Sequence, residues 1–255
     1  WFGSLELPTH RRLVVGGDYN YPPFEYLDDK GRPAGFNVEL TQAIARQMGL
    51  DLEIRLGPWD KIVEQLVNGD LDVIQGIYYS DQRDQLFDFS QPYLVNHHVS
   101  VVRQGQGPPP ATVADLAGKR LVAQRGDIVV GFLTEHGLTD HLLLVENQQE
   151  VLREVAAGRA DVGLVVRLGA LHFLKNWRGT DLVLGRTSLV AAEYCYAVRE
   201  GRQALLAQFS EGLKVLAEKG DYRHLQEKWF GVYRDEPLSL LEALRYSFMV
   251  LIPLL

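Results

Sequence analysis

NVELTQAIARQMGLDLEIRLGPWDKIVEQLVNGDLDVIQGI, residues 37–77, carries the rhythm that decides the fold. Val38, Leu40, Ala43, Ile44, Ala45 and Met48 recur close to helical spacing, and Gly49 stands where a helix takes its C-terminal glycine. LDLEIRL (50–56) then alternates apolar and polar residues, as a half-buried strand does. WDKIVEQLVNG (59–69) repeats the helical scheme, with Ile62, Val63, Leu66 and Val67 inward and Gly69 as the stop. LDVIQGI (71–77) is the next buried strand. Working outward, RRLVVGGDY (11–19) is a β-branched strand ending in glycines and an aspartate. NYPPFEYLDDKGRPAGF (20–36) is rich in turn residues; Pro22-Pro23 predicts an extended backbone and Asp29-Lys30-Gly31 a tight turn. Strand, helix, strand, helix, strand is the order of an open α/β sheet.

QGQGPPPATV (104–113) interrupts that order as a connector, since three prolines and two glycines in ten residues make neither helix nor strand. The rhythm then restarts. AGKRLVAQRG (117–126) reads as a strand, DIVVGFLTEHG (127–137) as a helix with Asp127 at its N-cap, and LLLVEN (142–147) as a strand. NQQEVLREVAAGRA is a helix, DVGLVV a strand and GALHFLKNW a helix. LVAAEYCYAVR (189–199) is a long strand, followed by two closing helices over 204–231.

Composition narrows the function. The 255 residues carry a net charge of −7 and no long Lys/Arg block, so no counterion release favours nucleic acid. Small anionic ligands stay compatible, because one well-placed arginine outweighs net charge locally. A single cysteine, Cys195, excludes an internal disulfide and a cysteine-based zinc site. The seven histidines show no metal spacing, and the adjacent His97 and His98 on a strand would face opposite ways. No Walker loop, Gly-x-Gly-x-x-Gly or Gly-x-Ser-x-Gly is present, so no cofactor is indicated. The chain starts at Trp1 with no signal-like stretch, which reads as a processed form or a fragment. From Tyr246 to Leu255 the only other polar side chain is Ser247. That is shorter than the roughly 20 apolar residues of a membrane span. The tail reads either as the beginning of a transmembrane helix or as a helix docked on the body.

Three groups of residues could carry chemistry. Tyr19, Tyr21, Phe24, Tyr26 and Trp59 cluster near strand ends, where rings either cap a core or line a ligand site. IQGIYYSDQRDQLFDFSQPY (74–93) brings Ser80 and Arg83 into a polar turn. The Arg83 fork either grips a carboxylate or pairs with Asp81 or Asp84. Gly126-Asp127 opens a helix whose free N–H groups could receive an anion, but Asp127 as N-cap would occupy those donors.

Taken in order, the block at 17–50, Trp59-Asp60 with LVNGDLDVIQG, SDQRDQLFDFSQPY, DLAGKRLVAQRG, AAGRADVG and GDYRHLQEKWFG resemble the type II periplasmic solute-binding proteins of the polar amino-acid, family 3 group. The resemblance runs from about Leu13 to about Gly231. It implies an α/β, two-lobed Venus-flytrap fold with two hinge crossings: residues 1–102 and 197–236 as lobe 1, 103–196 as lobe 2. The Pro-rich connector and Glu193–Val198 would be the crossings, and 237–255 would lead into a transmembrane helix. It also implies ligand-binding roles for Asp18, Tyr21, Trp59, Gly76, Tyr78, Ser80 and Arg83, the last matching the family's carboxylate-binding arginine.

Two departures bear on the ligand. Asp127-Ile128 replaces the family's glycine and Ser/Thr, which makes Asp127 a candidate contact of a different kind. Val166 stands nearest to the acidic residue that holds an α-amino group, so an ammonium there would lose its charged partner. A carboxylate without an amine fits as well as a ligand turned to present its cation to Asp127. Family members also serve as extracytoplasmic sensor domains of membrane histidine kinases, tethered just after the KWFG block, where the apolar tail lies. The expectation is therefore a periplasmic, non-catalytic sensing domain that closes on an amino acid or small carboxylate. Its other contact would be the membrane, through the segment after Leu238, and a full-length receptor could be a homodimer. A transporter's solute-binding protein is the alternative; a dehydratase using Asp18 or Glu193 as its acid is a third.

Overall fold

Short apolar segments separated by amphipathic helices must stack in parallel, because the chain has to return to the same edge of the sheet after each helix. The computed structural model, which describes residues 12–175, 177–179 and 181–233, is built this way. β1 (Leu13–Asp18) pairs in parallel with β5 (Leu52–Gly57) and β6 (Val73–Tyr78). Between β1 and β5 come β2 (Asn20–Tyr21), β3 (Glu25–Leu27) and β4 (Pro33–Ala34), which make a separate three-stranded sheet, and then α1 (Phe36–Met48). α2 (Trp59–Asn68) links β5 to β6. Both helices end as their sequences predict, on Gly49 and Gly69 at φ of 66° and 82°. Pro22-Pro23 differs from expectation: the bond is cis and sits in a turn closed by the Phe24 N–H on the Tyr21 carbonyl.

α3 (Asp81–Asp84) and β7 (Phe87–Phe89) precede the long β8 (Leu94–Arg103). The second half holds β9 (Leu121–Gln124), α4 (Ile128–Glu135), β10 (Leu142–Val145), α5 (Gln148–Ala156), β11 (Val162–Val166), α6 (Arg167–Lys175) and β12 (Leu182–Leu184). β13 (Val190–Arg199) returns the chain to the first half, where α7 (Gln203–Lys219) and α8 (Asp221–Phe230) pack on α1.

One continuous sheet results, in the order β10-β9-β11-β8-β13-β6-β1-β5. β8 and β13 lie side by side at its middle. β8 pairs with β11 from His98 to Val101, while β13 reaches β6 through Tyr194 and Cys195. These two strands carry the chain between the halves, and the Pro-rich stretch 104–113 comes after β8. The reason is local: proline has no N–H to donate to a central ladder, whereas VNHHVSVV does. Each half has its own apolar core, one around Val15, Leu40, Ile44 and Phe209, the other around Val99, Val122, Val151 and Val165. Tyr21, Phe24 and Tyr78 meet Val166 at the seam. The apolar tail after Leu238 lies outside the described residues, as do positions 1–11. Among the described residues no helix is long and apolar enough to cross a membrane.

Candidate ligand-binding site

Parallel strands deliver their carboxyl ends to one edge, and the site forms where the two edges meet. From the first half, β1 ends on Asp18, β6 contributes Gly76 and Tyr78, the first residue of α2 is Trp59, and α3 carries Arg83. From the second half, β9 ends on Gln124 and the turn beyond it holds Asp127. Tyr21, Glu25 and Tyr194 complete the wall. Seven expected residues thus line one cavity: Asp18, Tyr21, Trp59, Gly76, Tyr78, Arg83 and Asp127. Ser80 is not in that wall; its hydroxyl caps α3, accepting from the Arg83 N–H at 3.3 Å, and so sets the turn that carries the arginine.

Arg83 does not make the acidic pairing weighed from the sequence. It pairs with neither Asp81 nor Asp84; its Nη1 donates to the Tyr78 carbonyl at 2.6 Å and its Nη2 to the Gly126 carbonyl at 2.7 Å. The guanidinium lies 6.0 Å from the centre of the Trp59 ring, whose Nε1 donates to the same Gly126 oxygen at 3.0 Å. Burial lowers the Arg83 pKa, and the nearby Asp127 charge works against that.

Three carboxylates face or underlie the cavity. Asp18 accepts from the Asn20 N–H at 2.8 Å and from Gln124 Nε2 at 2.6 Å. Burial still pushes it up to about 7. Glu25, fully buried, accepts from the Asp18 N–H at 2.7 Å, from Gln75 Nε2 at 2.8 Å and from Asn37 Nδ2 at 3.0 Å. Burial outweighs those three donors and pushes it up to about 8. Asp127 differs in outcome. Burial would raise it, but His98, the Val129 N–H and Arg83 together hold it below the usual carboxylate range. His98 Nε2 stands 3.4 Å from Asp127 Oδ1, an ion-pair approach longer than a good hydrogen bond. His98 is fully buried while His97 points out to Ser188, the opposite facing that adjacency on a strand predicts.

Asp127 also caps α4 through the Val129 N–H at 3.1 Å, as expected. Gln148 joins it to the rest of the second-half wall, donating to Asp127 Oδ2 at 3.3 Å and to Gln124 Oε1 at 3.2 Å and accepting from the Val166 N–H at 3.0 Å. Val166 itself is a buried apolar residue of the seam. Gly76 is required where it is: a Cβ there would come within 2.4 Å of Asn37 Nδ2 and the Tyr194 hydroxyl.

Sequence reasoning missed Glu25, Gln124 and Tyr194. Gln124 could have been found, as the polar last residue of an otherwise apolar strand. Glu193, weighed as a general acid, is exposed on the other face of β13, since its neighbour Tyr194 points into the cavity. Phe24 is core, while Tyr19 stands at the rim and hydrogen-bonds Glu146. Among the described residues no group of three or more His, Cys, Asp or Glu could hold a metal ion.

Two α/β halves joined by paired crossing strands, with an arginine, acidic groups and aromatic rings at their seam, define a two-lobed solute-binding fold. Residues 13–232 match the model of bacterial extracellular solute-binding proteins, family 3, and the chain belongs to that family. It is 30% identical over 220 residues to the L-cystine-binding protein TcyJ of Escherichia coli K12, covering 86% of this chain and 82% of that one. Among solved structures, a histidine kinase sensor domain with similarity to periplasmic binding proteins shares 41% identity at a TM-score of 0.84, covering 87% of this chain and 97% of that one. An ancestral arginine-binding protein bound to glutamine shares 28% at 0.80, covering 87% and 100%.

Proposed function

We propose that this chain is the extracytoplasmic sensing domain of a membrane receptor of the histidine kinase type, and that it binds an amino-acid-like or small carboxylate solute at the seam. The observation that carries the sensing role is the 41% identity to a histidine kinase sensor domain across nearly its whole length. Arg83 is the anion partner; Asp18 and Asp127 are the partners of any cationic group; Tyr21, Trp59, Tyr78 and Gly76 shape the walls. β8 and β13 act as the hinge, with the first lobe boundary inside β8. A change in lobe position passes to the segment after α8, which this reading places at the membrane.

Thermal-shift titration with L-glutamine, L-arginine, L-cystine and succinate tests the site. At least one of them raises the melting temperature of the wild-type domain, and Arg83→Ala abolishes that rise while keeping a cooperative transition. An undiminished shift in the variant sinks the assignment. The second reading, a transporter's solute-binding protein, is favoured by the relationship to the L-cystine-binding protein. A reading frame that continues past Leu255 into a membrane helix and kinase supports sensing; a stop codon there supports transport.

A further inference from the structure

We propose that His98 sets the charge of the second-half wall: it compensates Asp127 from behind, and so lets the Arg83 side of the cavity take a solute carboxylate. The carboxylate in this statement rests on the binding reading above; the pairing of His98 with Asp127 is a property of the chain alone.

His98 stands on β8 one layer behind the cavity, between two residues of its wall. Its ring meets Tyr78 edge-on at 5.0 Å between centres, and its Nε2 lies 3.4 Å from Asp127 Oδ1. The side chain is fully buried, and neither ring nitrogen has a hydrogen bond. Buried nitrogens left that way are rare and call for a reason. Here the reason is Asp127. A ring nitrogen facing a carboxylate oxygen must carry a proton, since two lone pairs would repel each other. β8 pairs with β11 at His98 and Val166, and β11 with β9, which leads into the Asp127 turn. Both partners therefore belong to the second half, and their approach does not depend on where the first half stands.

Asp127 needs compensation because of what stands opposite. Arg83 Nη2 reaches the carbonyl of the preceding residue, Gly126, at 2.7 Å. An anion drawn to the guanidinium comes up against a carboxylate one residue away, and like charges so placed repel strongly. The Val129 N–H on Oδ1 at 3.1 Å and the Gln148 amide on Oδ2 at 3.3 Å satisfy the oxygens of Asp127, but both are neutral donors. Offsetting the charge is left to His98. Burial works to raise Asp127, and His98 is the largest of the influences that bring it below the usual carboxylate range instead. Without His98, Asp127 becomes a bare charge in the wall, which repels a carboxylate and attracts a cation.

Calorimetric titration with succinate and with L-arginine tests this on the wild-type chain, His98→Phe, Asp127→Asn and the double variant. Phenylalanine fills the space of the imidazole without a nitrogen. His98→Phe should weaken succinate binding at least about tenfold without weakening that of L-arginine, and adding Asp127→Asn should restore succinate. A ring that merely packs would weaken both solutes, and Asp127→Asn would not rescue it. Either result overturns the proposal, as does an unchanged succinate affinity or a wild type that takes L-arginine and not succinate. If His98→Phe fails to fold, the double variant decides: folding rescued by Asp127→Asn supports the pairing, and a double variant that also fails overturns it. Where neither solute binds the wild type, the binding reading fails and urea midpoints decide the pairing. A loss in the double variant smaller than the sum of the single losses supports it, and additive losses overturn it.

Discussion

Gly17 shows how one absent side chain builds the floor of the site. A Cβ at that position would stand 2.6–2.8 Å from the carboxyl atoms of Glu25. Gly17→Ala must therefore expel a carboxylate that satisfies Asn37, Gln75 and the Asp18 N–H. Overpacking of this kind costs about 1–3 kcal/mol, and each buried donor left without a partner adds about as much. The expected loss in urea unfolding is about 4 kcal/mol or more; a loss under about 1 kcal/mol would show that Glu25 can relax elsewhere. The same residues mark the limit of what the sequence told. Trp59 and Arg83 drew notice because an indole and a guanidinium near strand and helix ends carry a recognisable chemistry, and Asp18 because of the family resemblance. Glu25 was not, because its role comes from Asn37 and Gln75, contributed by distant elements and brought to it only by the fold. Arg83 lines the cavity from its polar turn, but the backbone carbonyl it meets across the cleft has no signature in side-chain order.

At the scale of elements, α4 ties cap, charge and seam together through Asp127. Asparagine keeps an oxygen for the Val129 N–H but gives up the charge facing His98 and Arg83; alanine gives up both. Caps contribute about 1 kcal/mol, so Asp127→Ala should be less stable than Asp127→Asn by about that amount in urea unfolding. Equal stabilities would mean that charge, not capping, is what Asp127 supplies. Helices were the more legible elements, since spacing and stop glycines marked α1 and α2 almost to the residue. Proline and glycine density drew the expected connector to 104–113, which directly follows β8. β8 has the continuous donors a central strand needs, and its partners β11 and β13 follow much later in the chain.

For the molecule as a whole, the buried carboxylates set the pH dependence of stability. Asp18 at about 7 and Glu25 at about 8 lie well above their ordinary values of 3.8 and 4.5. Between those limits the folded chain holds protons that the unfolded chain has released, so stability falls as pH rises from about 4 to about 8. The stabilising share is complete below about 4 and gone above the folded values. Each unit of separation corresponds to about 1.4 kcal/mol. The carboxylates held low by partners, Asp28, Asp115, Asp127, Glu154 and Asp161, contribute in the opposite sense, but their share is lost only as pH falls below the ordinary carboxylate values, outside this window. His172, lowered by burial, favours folding as pH rises through its ordinary 6.5, one group against two. Urea midpoints measured from pH 5.5 to pH 8 should therefore decline, with an unchanged slope in denaturant. Asp18→Asn removes one titrating group and should make the decline shallower up to about pH 7, leaving the decline that Glu25 carries on to about 8. A flat or rising wild-type profile would mean that the seam opens enough to hydrate Asp18 and Glu25, and it would count against a closed resting cleft.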